Sequence, residues 1–116
     1  MTSHSDCLFC QMSSGAFPTD MIHQDSQLFA IRDINPRAPI HLLIIPRRHY
    51  DTVRDLTLGE STLLSHIVST ANMLADQLDI GMRGYRLAFN VGDDAGMTIP
   101  HLHLHILGGR RLGAEG

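Results

Sequence analysis

Pro100-His101-Leu102-His103-Leu104-His105-Ile106-Leu107-Gly108-Gly109 carries three of the chain's eight histidines, one at every second position. Period two is the period of a β-strand, whose successive side chains point to opposite faces. Read as a strand, the stretch puts His101, His103 and His105 on one face and Leu102, Leu104 and Ile106 on the other. The aliphatic face can enter a core. The other face offers imidazoles spaced roughly 6.5–7 Å apart. A helix would scatter them, because i, i+2 and i+4 do not share one helical face. Two chemistries suit such a row. Neutral imidazole is a competent nucleophile towards phosphorus, with a neighbouring imidazole serving the leaving group. Alternatively, three histidines can hold a catalytic metal. In the first case the central His103 is placed to attack and His105 to stand beside the phosphoryl oxygens or leaving group.

Outward from this stretch, the 116 residues, 43% of them hydrophobic, fit one domain with one core. Residues 1–116 are expected to form that domain, with 1–6 and 112–116 as loose tails. A short helix over residues 7–14 would carry Leu8, Phe9 and Met12 on one side and stop at Gly15. Residues 21–23 and Leu28–Arg32 read as a hairpin. Two prolines within Asp33-Ile34-Asn35-Pro36-Arg37-Ala38-Pro39 exclude helix and indicate an ordered loop. Ile40–Pro46 is a third strand, with His41, Leu43 and Ile45 on one face and Leu42 and Ile44 on the other. Thr57-Leu58-Gly59-Glu60 matches a capping box. Apolar residues then recur from Leu63 to Leu78 at helical spacing, which predicts a long amphipathic helix over 58–79 ended by Gly81. His66 lies beside its apolar stripe and reads as structural or exposed. Residues 85–91 form a fourth strand, and the loop 92–96 returns the chain to the histidine strand. The fold class is therefore α+β: a five-stranded, mainly antiparallel sheet with one long and one short helix.

A net charge of −3 is not that of a nucleic-acid binder, which usually presents a basic face. No run of about 18 apolar residues is present to span a membrane. The N-terminus lacks a basic segment followed by an apolar one, so no secretory signal and a reducing, cytoplasmic setting are expected. There, Cys7-x-x-Cys10 reads as metal ligands or a redox pair, or as two buried thiols with no metal. As half of a zinc site it needs two histidines, for which His49, His101, His41 and His23 are candidates. No P-loop is present. Backbone N–H groups of 92–96, with Asn90 and Thr98, can serve phosphate, and Asp33 can accept from ribose hydroxyls.

The histidine stretch resembles the signature of the histidine triad (HIT) superfamily, and Asp33 to His49, Gly84-Tyr85-Arg86, Asn90-Val91-Gly92 and Gly108-Gly109-Arg110 resemble its HINT branch. The resemblance covers about residues 7–111. It implies a HIT-like fold and a nucleotide-binding hydrolase that cleaves purine nucleoside phosphoramidates at the α-phosphorus through a nucleotidyl-histidine intermediate. It assigns His103 as nucleophile, His105 to the phosphate and leaving group, and His101 and His41 to orientation of the row. Asp33 matches the ribose-binding acid. Phe9, Ile31, Ile34 and Leu43 match the purine pocket, and Asn90 and Thr98 the phosphate-side polar positions. The resemblance further implies a homodimer with joined sheets and, as in some bacterial members, a structural zinc on Cys7, Cys10, His49 and His101. The chemical step needs no cofactor. The chain departs from the branch at Met97, where glutamine is common, and in lacking a Trp-Pro-Pro ending. Alternatives are a nucleotide-binding regulatory protein with little turnover, and a dinucleoside polyphosphate hydrolase of the Fhit type.

Overall fold

The computed structural model describes residues 6–116; residues 1–5 of the expected N-terminal tail lie outside the described residues. Helix α1 (Leu8–Ser14) is followed by strands β1 (His23–Gln24), β2 (Leu28–Arg32) and β3 (Ile40–Pro46), helix α2 (Ser61–Gln77), and strands β4 (Tyr85–Ala88) and β5 (Leu104–Gly108). The five strands form one antiparallel sheet in the order β1-β2-β3-β5-β4. The fold class is as expected.

β3 is the centre of the sheet and divides it into two faces, as its alternation demands. Leu42 and Ile44 point to α2 and pack with Leu28, Ala30, Ile67, Ala71, Leu74, Leu104 and Ile106. Leu43 and Ile45 point the other way, onto Phe29, Ile31, Phe9 and Met12 from β2 and α1. Complete burial of each large aliphatic side chain contributes roughly 1.5–3 kcal/mol. Both faces are thereby covered where the sheet is widest, which explains β3's near-continuous apolarity.

Element bounds differ from the sequence reading for identifiable reasons. The Thr57/Glu60 capping box forms, but it caps a single 3-10 turn, Leu58–Glu60, and the α-helix begins at Ser61. The helix ends at Gln77 rather than 79, and the left-handed residue that follows it is Asp79 (φ 62°), two positions before Gly81. β1 is His23–Gln24 rather than 21–23, set by pairing of His23 with Ala30 and Gln24 with Phe29. β4 stops at Ala88 rather than 91, since β5 extends no further than His105 opposite it.

The largest correction falls on the histidine stretch itself. Only Leu104–Gly108 is laddered strand; His101 and His103 precede it. The ladder with β3 ends at the Ile44–Leu104 pair. Further along β3 lies Pro46, which has no N–H to donate. The chain instead binds elsewhere: Leu102 N–H donates to the Tyr50 carbonyl at 2.7 Å and His101 N–H to the Ile99 carbonyl at 2.8 Å. The three imidazoles therefore do not form a uniform row. At the other end, Gly109 (φ 93°) turns the chain away from the sheet, and the Gly113 carbonyl accepts from Arg86 at 2.8 Å.

Candidate active site and metal cluster

A cavity of about 480 Å³ opens on the β-sheet face opposite α2. Phe9 and Met12 of α1, Ile31 of β2 and Leu43 of β3 form its apolar floor and wall. Asp33 and Ile34 come from the loop after β2, and Asn90 and Thr98 from the segments flanking 92–96. His103 and His105 close the polar end. Ile34 is 90% exposed and stands at the rim, where an occupant would cover it. His101 and His41 are buried behind the cavity and do not line it. Met97 lines it and brings no hydrogen-bond donor.

The hydrogen bonds assign the proton on each ring. Arg37 N–H donates to Nδ1 of His41 at 3.1 Å, so that nitrogen is a lone pair and Nε2 carries the hydrogen. Nε2 of His41 lies 2.9 Å from Nδ1 of His105 and donates to it. Nδ1 of His105 is thus an acceptor, and its Nε2–H faces the cavity; Nδ2 of Asn90, itself a donor, stands 3.5 Å from Nε2 and does not accept from it. His103 donates from Nδ1 to the His101 carbonyl at 2.7 Å, which leaves Nε2 of His103 as a free lone pair at the cavity wall. One nucleophilic nitrogen and one N–H donor therefore sit side by side on rings whose centroids are 5.0 Å apart.

Burial keeps these rings neutral. Desolvation lowers the pKa of His41, against the nearby Asp33 carboxylate, and lowers that of His103, against its bond to the His101 carbonyl. At His105 burial is joined by repulsion from His103, His41 and Arg37, and the pKa falls to about 4. A lone pair on His103 is thus available for attack at pH 7.

Behind the cavity, Cys7, Cys10, His49 and His101 converge with their ligand atoms within 4.8 Å of one another. Cys7 is the N-cap of α1, and its sulfur accepts from Cys10 N–H at 3.4 Å, so one helical turn aims both thiols the same way. Nδ1 of His101 lies 3.2 Å from the Cys7 sulfur and 3.5 Å from the Cys10 sulfur; Nδ1 of His49 lies 3.4 Å from the Cys10 sulfur. Both rings spend their other hydrogen elsewhere. His101 donates from Nε2 to the Pro46 carbonyl at 2.8 Å, and His49 from Nε2 to Asp51 at 2.7 Å. Two imidazole lone pairs and two thiols then share one centre. Neighbouring N and S ligands of a tetrahedral zinc are roughly 3.5 Å apart at its usual bond lengths, and outer-shell acceptors of this kind are what fix a metal-binding histidine. The residues fit a metal ion. Burial, the hydrogen bond that the Cys10 S–H donates to Cys7, and the charge of Cys7 push the Cys10 thiol up to about 11, so without a metal it holds its proton at neutral pH.

A second group, Asp33, His41 and His105, also brings ligand atoms within 4.8 Å. The proton assignment disqualifies it. Nε2 of His41 carries the hydrogen while Nδ1 accepts from Arg37, and a metal at Nε2 would require an imidazolate. Of the four sequence candidates for metal ligation, His49 and His101 thus reach the cysteines, His41 belongs to the active-site chain, and His23 lies 3.6 Å from Asp25.

The HIT domain family model matches residues 14–112. The chain belongs to the HIT domain family. Over 108 residues it is 37% identical to the purine nucleoside phosphoramidase of Escherichia coli (strain K12), covering 93% of this chain and 91% of that protein. The HIT family hydrolase from Legionella pneumophila Philadelphia 1 superposes with a TM-score of 0.92 at 42% identity, over 95% of this chain and 99% of that one. The HIT family hydrolase from Clostridium thermocellum superposes with a TM-score of 0.91 at 39% identity, over 97% of each. This HIT chain is accordingly a hydrolase, and its Cys7 and Cys10 lie before the stretch that the family model matches.

The sequence reading missed four contributors. The Arg37 N–H and the carbonyls of Pro46 and His101 act through the backbone, and no residue type announces them. Asp51, two residues after His49, was legible in principle as a carboxylate beside a metal-binding histidine.

Proposed function

We propose that this HIT hydrolase cleaves purine nucleoside phosphoramidates to a nucleoside monophosphate and an amine through a nucleotide covalently held on His103. The observation that carries the reading is the free Nε2 lone pair of His103 beside the Nε2–H of His105 at one cavity wall. The cavity has the dimensions of a nucleotide site. Its apolar part, from Phe9, Ile31, Ile34 and Leu43, suits a flat base, Asp33 suits ribose hydroxyls, and Asn90 and Thr98 suit phosphate oxygens.

In this reading Nε2 of His103 attacks the α-phosphorus. The P–N bond breaks with its electron pair on nitrogen, which takes up a proton from solvent and departs as amine. His105 Nε2–H is the hydrogen-bond donor facing it. His103 becomes cationic on phosphorylation, and its Nδ1–H remains held by the His101 carbonyl. Water then attacks phosphorus, loses one proton and releases the nucleotide and free His103. His101 and His41 act as positioning residues from behind the cavity. Cys7, Cys10, His49 and His101 would hold a structural zinc, which supplies a fixed link between α1 and the loops and no chemistry to the phosphoryl group.

The same reading includes a homodimer joined along β4, an edge strand of the sheet, with residues 1–116 as one functional unit in a reducing cytoplasm where both cysteines stay reduced. Among the described residues no helix is long and apolar enough to cross a membrane. The test is turnover of a fluorogenic adenosine phosphoramidate by wild type and by His103→Ala. The expected result is turnover and a trapped nucleotidyl adduct in wild type, and neither in the variant, with AMP binding retained. Equal, negligible rates in both proteins leave only a binding role.

A further inference from the structure

Nε2–H of His41 has two acceptors. Nδ1 of His105 is 2.9 Å away and Oδ2 of Asp33 is 3.3 Å away. The His41 side chain is fully buried. Asp33 is fixed on its other oxygen, where Oδ1 accepts Asn35 N–H at 2.9 Å, and its own backbone N–H is paired with the His41 carbonyl at 2.9 Å. The carboxylate is therefore held beside His41, on a side chain that is 20% exposed and lines the cavity. A single hydrogen is divided between a neutral ring that needs it for orientation and an anion that attracts it more strongly.

We propose that Asp33 is a positioning residue whose competition for the His41 hydrogen is relieved by the ribose hydroxyls of the bound nucleotide. The inference rests on the nucleotide reading above. In the free protein Oδ2 of Asp33, 3.3 Å away, competes for the His41 Nε2–H with Nδ1 of His105 at 2.9 Å and weakens that bond without breaking it. Nδ1 of His105 is then weakly held, and the ring can exchange tautomers or rotate. When a ribose hydroxyl donates to Oδ2, the carboxylate is satisfied and the hydrogen turns wholly to Nδ1 of His105. That fixes His105 with Nε2–H towards the cavity, where the leaving group departs. Sugar recognition and the orientation of the acid-side ring are thereby one event, and the sugar hydroxyls act on the rate as well as on binding. No bond is made or broken in this step; one hydrogen bond is exchanged for another.

The test compares an adenosine phosphoramidate with its 2′,3′-dideoxy analogue in single-turnover reactions at saturating substrate. Wild type is expected to react about tenfold more slowly with the dideoxy substrate, less than the roughly 10²–10⁴-fold ascribed to a proton donor as a whole, because the ring is loosened and not removed. Asp33→Ala removes the competitor, so it is expected to turn over the dideoxy substrate faster than wild type does, by a similar factor, while its KM for the ribose substrate rises. A residue that only binds ribose gives no such gain. Equal saturated rates for the two substrates in wild type, or an Asp33→Ala rate on the dideoxy substrate no higher than wild type, overturns the proposal. A second readout needs neither turnover nor a variant: histidine 15N NMR of the wild-type protein with AMP and with 2′,3′-dideoxy-AMP. AMP is expected to collapse His105 to the Nε2–H form and dideoxy-AMP to leave it mixed; identical spectra overturn the proposal. If neither phosphoramidate is hydrolysed, the phosphoramidase reading fails and the NMR comparison still decides this one.

Discussion

Acidification from pH 7 to pH 4 is expected to remove a defined part of the protein's stability through one ring, His105. The folded chain holds this imidazole neutral, 7% exposed, between His41 and His103, and its pKa drops from 6.5 to about 4. In the unfolded chain it takes up a proton near 6.5. Between these values the unfolded state binds more protons than the folded one, so stability falls as pH drops through this window. The loss is complete below about 4 and absent above 6.5. At about 1.4 kcal/mol per pKa unit, a displacement of this size is on the order of 3 kcal/mol. The assay is urea unfolding followed by circular dichroism at pH 7, 6, 5 and 4, on wild type and on His105→Gln. Glutamine can accept from Nε2–H of His41 and does not titrate, so subtracting the variant removes losses that both proteins share, including protonation of the cysteine–histidine cluster. The stability advantage of wild type over the variant should shrink by about that amount between pH 7 and pH 4. An advantage constant across the range refutes the reasoning. A later fall, below about pH 4, belongs to Asp25. Burial raises its pKa, but hydrogen bonds from Gln27 N–H, His66 and Leu28 N–H outweigh that and hold the carboxyl at about 2. Its contribution is present above 3.8 and lost as pH falls towards 2.

Protein purified without chelator should carry about one zinc per chain by elemental analysis, and Cys10→Ser should abolish it; stoichiometry well below one in wild type removes the zinc assignment. Chelation should lower the melting temperature by several degrees and weaken AMP binding measured by calorimetry, because the α1 turn that carries both cysteines also places Phe9 with its ring centroid 5.2 Å from that of His103. Gly109→Ala should cost about 1–3 kcal/mol in urea unfolding, since φ is 93° and a Cβ would lie 2.9 Å from Pro39 Cβ, whereas Gly113→Ala meets nothing within 4 Å and should be neutral. Met97→Gln restores a donor at the cavity wall and should raise kcat/KM for an adenosine phosphoramidate roughly threefold to tenfold, one neutral hydrogen bond's worth; no change would place position 97 out of reach of the phosphate.

The architecture was legible from residue patterns because local rules and burial agree. Alternation along Ile40–Pro46 matches a strand with a covered face on each side, and the 3–4 spacing after Ser61 matches a helix with one buried stripe. The histidine stretch shows where such reading ends. Its spacing predicted three equivalent rings on one strand, but a ladder needs a partner, and β3 ends at a proline.

By itself the sequence determined which chemistries were available: three alternating imidazoles, two thiols one helical turn apart, and a strand with two apolar faces. Those are properties of residue type and period, and they hold without knowledge of neighbours distant in the chain. Tertiary structure alone decided which nitrogen carries each hydrogen. His101 is committed to the cysteines because Pro46, 55 residues away, accepts its other N–H; His41 points its hydrogen at His105 because a backbone amide of the preceding loop occupies Nδ1. A ring nitrogen becomes nucleophile, donor or metal ligand according to what its opposite nitrogen is bonded to, and that partner is brought in by the fold.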